Sequence, residues 1–214
     1  MRAAWVLVAL SSVASTAHAD DAPRVILGAQ VSSHTFHFDA ASTTLSGTAF
    51  QIDGGVQVSP RYALYAFWEH GVYDSRDDRI APGPLATSHA VGVGVQASTN
   101  PDGPWSFLVD LSSGYRFLRV PFDTGLSRAP YGVDRYQGLE PLRLHLGPTL
   151  LVDRVLRVEA LIGGALGRFH ASGVGHAETC AIVATCGDSL LVDGDTQSAT
   201  YFTIDFGVAL HTWL

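Results

Sequence analysis

Residues 201–214 read YFTIDFGVALHTWL. Taking every second residue gives Phe202, Ile204, Phe206, Val208, Leu210, Thr212 and Leu214, apolar in all but Thr212. The alternate positions, Thr203, Asp205, Gly207, Ala209, His211 and Trp213, are mostly small or polar and include a carboxylate and an imidazole. A period of two marks a β-strand, because successive side chains point to opposite faces. Fourteen residues is long against the usual length of about 5–6. It is enough for the roughly 9–11 tilted residues that cross a bilayer. The stretch reads as a membrane-spanning closing strand, and the rest of the chain must supply its partners.

Working back from it, seven more segments alternate in the same way: 24–37, 48–59, 62–73, 89–98, 105–119, 139–152 and 155–169. In the second, Phe50, Ile52, Val56 and Val58 oppose Gln51, Asp53, Gly55 and Gln57. The faces of the third are less clean. Leu64, Ala66 and Trp68 are placed outward and Phe67, Glu69 and Gly71 inward, an assignment that a one-residue slip would reverse. In the sixth, Pro148 removes a ladder donor, which predicts a bulge or a position at the rim. The connections alternate in length. Short turns are expected at 60–61, 99–104 and 153–154, and long polar loops at 39–47, 74–88, 121–137 and 170–198. Short turns on one side and longer loops on the other are the habit of outer-membrane barrels. Both ends of the chain then fall on the periplasmic side.

Hydrophobic residues make up 47% of the 214, yet beyond the N-terminus none of them gather into the 18 or so consecutive positions of a membrane helix. The apolar content is spread by alternation. The N-terminus is the exception. Arg2, the apolar run from Ala3 to Val13 and the small-x-small triplet Ala17-His18-Ala19 predict a secretory signal peptide over 1–19. Residues 20–214 are then one barrel domain. A net charge of −7 argues against nucleic acid as a partner. Cys180 and Cys186 predict a small-loop disulfide in an exported chain. The histidines show no metal-ligand spacing, so neither metal nor cofactor is expected.

Two eight-stranded barrels fit this pattern, and the polarity of the faces separates them. A soluble, lipocalin-like ligand-binding barrel keeps its apolar face inside. Here the face opposite the apolar one carries the charges Asp53, Glu69, Asp110, Arg116, Arg143, His145, Arg157, Glu159, Asp205 and His211. It is also rich in Gly and lacks Lys, which is a poor composition for a wet surface. It suits a narrow lumen in which small residues leave room for arginines and acids to pair. An eight-stranded interior is just wide enough for side chains to fill, so a plug of ion pairs is expected and not an open channel. Aromatics near strand ends suggest two interfacial girdles: Tyr62, Trp105 and Trp213 at one side, and Phe36, Phe50, Tyr73, Phe117, Phe169 and Phe202 at the other.

On this rhythm, leader and terminal strand, the chain resembles the small outer-membrane proteins of the OmpA-barrel/OmpX-like class. That resemblance implies an all-β, eight-stranded antiparallel up-and-down transmembrane β-barrel in the bacterial outer membrane. It implies a monomer among outer-membrane lipids, with a structural, envelope or surface-interaction role. It also implies recognition of the last strand by the barrel-assembly machinery, although the terminal Phe usual in the class is replaced by Thr212-Trp213-Leu214. A second resemblance, to the lipid A deacylases like PagL, rests on His170-Ala171-Ser172 with Glu178 nearby. It would make His170 the base and Ser172 the nucleophile of a lipid A-modifying hydrolase. The Asn that follows the Ser in that family is Gly173 here. The non-enzymatic reading is preferred.

Overall fold

In the computed structural model, residues 24–38, 44–75, 85–101, 103–126, 129–153, 155–175 and 199–213 are described. They form eight strands: β1 (Arg24–Phe38), β2 (Thr44–Ser59), β3 (Tyr62–Ser75), β4 (Ala86–Ser98), β5 (Trp105–Leu126), β6 (Ala129–Asp153), β7 (Leu156–Gly175) and β8 (Ala199–Trp213). Each pairs antiparallel with the next, and β8 pairs with β1, so the sheet is a closed barrel. Hydrocarbon offers no partner for a backbone amide, and closure gives every strand two neighbours. The signal-peptide segment 1–19 and the cysteines Cys180 and Cys186 lie outside the described residues.

The ladder is staggered. A circuit from Ile26 through Gly55, Tyr65, Gly94, Ser112, Arg143, Ala165 and Thr203 returns to β1 at Phe36, ten residues further along. Stagger in a closed sheet means tilted strands, typically by about 35–45°. At one end the turns are short and knitted to neighbours. Ser98 N donates to Arg61 O at 2.9 Å, Leu151 N to Pro104 O at 2.9 Å and Trp213 N to Val155 O at 3.0 Å. This is the turn end, and the other is the loop end.

The pleat sorts the side chains as the alternation requires. Val31, Phe50, Ile52, Trp68, Val91, Val93, Leu111, Leu144, Ile162, Phe206 and Val208 are all exposed. Strand three keeps the expected register, with Trp68 outward and Phe67 and Glu69 buried. A band of this kind is stable against acyl chains and not against water, which rules against the soluble lipocalin-like barrel.

Three expectations need correcting. Segment 121–137 is not a loop. β5 and β6 run on as a paired hairpin through Val120↔Asp134 and Pro121↔Val133 to Leu126↔Ala129. Apolar alternation is imposed only where strands meet lipid, and beyond it the ladder can run on by cross-strand hydrogen bonding without that signature. Next, the ladder register does not shift at Pro148, so of the two expectations there the bulge fails, while the pairing with Phe107, two residues from the start of β5, keeps Pro148 near the turn-end rim. The bulge sits well along β6 toward the loop end, around Glu140 to Arg143, where the strand gains a residue against both neighbours. Pro141 lies inside it, where a missing N–H costs no ladder bond. Finally, Phe36, Tyr73 and Phe169 are not girdle residues. They are at most 1% exposed and pack inside the barrel, because on their strands the inward parity persists to the loop end. Trp213 also turns inward, beneath the Arg157 guanidinium, which lies 4.6 Å from its ring centroid. Tyr62, Trp105, Phe50, Phe117 and Phe202 do face outward.

Val93 is 62% exposed near the middle of the apolar band. Replacing it with arginine is expected to destabilise the barrel by about 2–4 kcal/mol in reversible guanidinium unfolding from lipid vesicles. A barrel with a water-facing exterior would lose less than about 0.5 kcal/mol.

Candidate functional site: the lumen network

All ten charged positions of the polar face lie inside the barrel: Asp53, Glu69, Asp110, Arg116, Arg143, His145, Arg157, Glu159, Asp205 and His211 are each at most 8% exposed. They are stacked in tiers along the axis.

The tier nearest the loop end is a closed square. Arg116 Nη1 meets Glu69 Oε1, and its Nε meets Glu140 Oε2, both at 2.7 Å. Arg143 Nη1 meets Glu69 Oε2, and its Nη2 meets Glu140 Oε1, again at 2.7 Å. Two guanidiniums and two carboxylates neutralise one another. A buried charge is tolerated only when paired and hydrogen-bonded, and the surroundings complete the set. Arg143 Nη1 donates to Gln51 Oε1 at 3.0 Å and Arg116 Nη1 to Ser88 Oγ at 3.2 Å. The Tyr201 hydroxyl donates to Glu140 Oε2 at 2.9 Å. Each guanidinium also lies near a ring, Arg116 over Phe36 and Arg143 over Phe67. Lysine, with one point charge, could not span two carboxylates in this way.

Below the square lies an imidazole between carboxylates. His145 Nε2 is 2.9 Å from Asp205 Oδ1, and its Nδ1 is 3.9 Å from Asp110 Oδ1. Tyr65 donates its hydroxyl proton to Asp110, with oxygens 2.6 and 2.7 Å away. The next tier repeats the arrangement. His211 lies between Asp53 and Glu159, each 3.1 Å from a ring nitrogen. At the turn end Arg157 Nη2 donates to Pro101 O at 3.1 Å, and a chain of hydroxyls links Ser98, Ser106 and Thr149. Above the square, Phe36, Leu45, Tyr73, Ala86, Leu118, Val120, Phe169 and Tyr201 form an apolar cap inside the lumen. Glycine makes these rings fit: a Cβ at Gly94 would strike the Tyr65 ring, and one at Gly167 the Tyr201 ring.

Glu140 was not among the positions read from alternation. Counting back by twos from Arg143 puts Leu139 and Pro141 inside and Glu140 in lipid. The bulge inverts that parity, so Glu140 and Arg143, three residues apart, both point inward. Pro141 in an apolar run was the available signal. The side chains named for a hydrolase lie outside the described ones. His170 and Ser172 lie on β7 near its loop end, and Glu178 lies outside the described residues. Among the described residues no group of three or more His, Cys, Asp or Glu is placed to hold a metal ion.

Glu140→Gln leaves two arginines sharing one carboxylate. It is expected to cost about 3–5 kcal/mol of stability. Arg143→Met in the same chain should restore part of that loss, so a double-mutant cycle by equilibrium unfolding should show strong coupling.

No family model matches the chain, and no curated protein matches it. Solved structures do. Neisserial surface protein A superposes with a TM-score of 0.54 at 10% identity, covering 88% of this chain and 96% of that one. The outer membrane protein OprG from Pseudomonas aeruginosa superposes with a TM-score of 0.52 at 8% identity, covering 90% of this chain and 95% of that one. At such identities the likeness is one of fold. The chain therefore has the closed eight-stranded fold of small bacterial outer-membrane barrels, and that fold with an apolar outer band makes the outer membrane its location.

Proposed function

We propose that the protein is a non-conducting outer-membrane barrel whose role is structural or one of surface interaction, exercised at its loop end and its lipid face and not through its lumen. The observation that supports this is the burial of Arg116, Glu69, Glu140 and Arg143, whose side chains are 3% exposed or less. A filled, neutral cross-section of this kind offers a permeating ion neither water nor a net field. The apolar cap on the loop side adds a second barrier, since bare ring surface gives an ion nothing to replace its hydration shell. The plug also joins β2 and β3 to β5 and β6 across the lumen, which suits a scaffold that must hold loops in place.

In planar bilayers the refolded full chain is expected to give a closed baseline with no steady conductance steps. A stable, long-lived open pore would overturn the reading.

A further inference from the structure

The exterior at the loop end is not uniform. Arg119 on β5, Arg135 on β6 and Arg168 on β7 are all exposed and stand on three consecutive strands. Arg119 and Arg135 are direct partners in the ladder. Like charges placed opposite one another on a sheet repel, and among the described residues neither is in a salt bridge with a carboxylate. Gln137, also exposed, lies between Arg135 and the apolar band, paired with Phe117.

What lies beneath and beside them is apolar. Phe117 is two residues below Arg119, Leu166 two below Arg168, and Leu139 is the ladder partner of Arg168; all three are exposed. Leu142 continues the surface toward the middle of the bilayer. Elsewhere around the rim the described outward residues include Thr44, Asp74, Thr87, His89, Thr200 and a His37 ring stacked on Phe202. In a chain whose net charge is −7, the exposed arginines described at this rim thus stand together on β5, β6 and β7, next to a surface made for acyl chains.

We propose that this β5–β7 rim patch binds the phosphorylated headgroup of a membrane lipid whose acyl chains lie on the band below it. A guanidinium presents a planar fork that matches phosphate oxygens in pairs, and an anion set between Arg119 and Arg135 turns their repulsion into shared attraction. Basic residues beside a bilayer surface each favour an anionic lipid by about a factor of five. The occupant is a lipid and not a free phosphate, because the patch ends on Phe117, Leu139 and Leu166 and not on a polar pocket. The inference rests on the membrane location and not on whether the lumen conducts.

The test uses the full chain refolded in uncharged detergent, with bound lipid counted by native mass spectrometry. The probes are diphosphoryl lipid A, the same glycolipid with its phosphates removed, and inorganic phosphate as competitor. The wild-type chain is expected to retain the diphosphoryl lipid. Removal of its phosphates should weaken binding by about 100-fold, and millimolar inorganic phosphate should not displace it. Arg135→Gln should weaken binding by roughly fivefold, and the triple Arg119→Gln, Arg168→Gln, Arg135→Gln chain by about 100-fold. Equal retention of the dephosphorylated lipid, ready displacement by inorganic phosphate, or unchanged binding in a folded Arg135→Gln chain would each overturn the proposal. The two arms with wild-type protein decide the matter even if the triple variant does not refold.

Discussion

The seam between β1 and β8 is the condition for everything else in this molecule. Ile26 through Phe38 pair with Tyr201 through Trp213, and without that seam two strand edges would lie bare in hydrocarbon. An amide or carbonyl there has no water to turn to, and each costs several kcal/mol. Closure by a hydrogen-bonded ladder fixes the tilt, the tilt fixes how many residues cross the bilayer, and the crossing fixes which side chains must be greasy.

Closure also creates an inside, which in an eight-stranded barrel is just wide enough for side chains to fill. The filling chosen here is largely charged. Two Arg–Glu pairs shared crosswise, two imidazoles between carboxylates and a group of aromatics near the loop end lie there. A hydrocarbon filling of the same shape could be as stable. What the charged residues add is direction: Arg116 and Arg143 each bridge Glu69 and Glu140, so each of the four fixes the place of the others. A chain inserted with a strand out of register would leave at least one of these charges without a counterpart, far from water.

The architecture could be read in the sequence because the bilayer writes it there. Phe202, Ile204, Phe206 and Val208 must be apolar and Asp205 need not be, so period two survives intact wherever lipid is present. The same rule explains what could not be read. Past the lipid boundary the rule lapses, and residues 121–137, polar and proline-bearing, looked like a loop although they hold a ladder. Phe36, Tyr73 and Phe169 obey the inward parity, but aromatic identity near a strand end suggested an interfacial girdle, and nothing in one strand alone reveals that its neighbours bring further rings to the same spot. Glu140 escaped because parity counting assumes an unbroken pleat. Only pairing with β5 and β7 exposes the extra residue beside Pro141.

That extra residue has a consequence for how the chain can change its length. In β6 both Pro141 and Leu142 face outward, while Glu140 and Arg143 face inward. Losing Pro141 would leave strict in-and-out order on both sides of the cut, whereas losing Leu144 or Leu146 would swap the facing of half the strand and push Arg143 into fat. Among the central positions of β6, the Pro141–Leu142 step is therefore where evolution could gain or lose one residue without re-facing the strand, and homologous chains that differ by a single residue in this strand should carry the difference there.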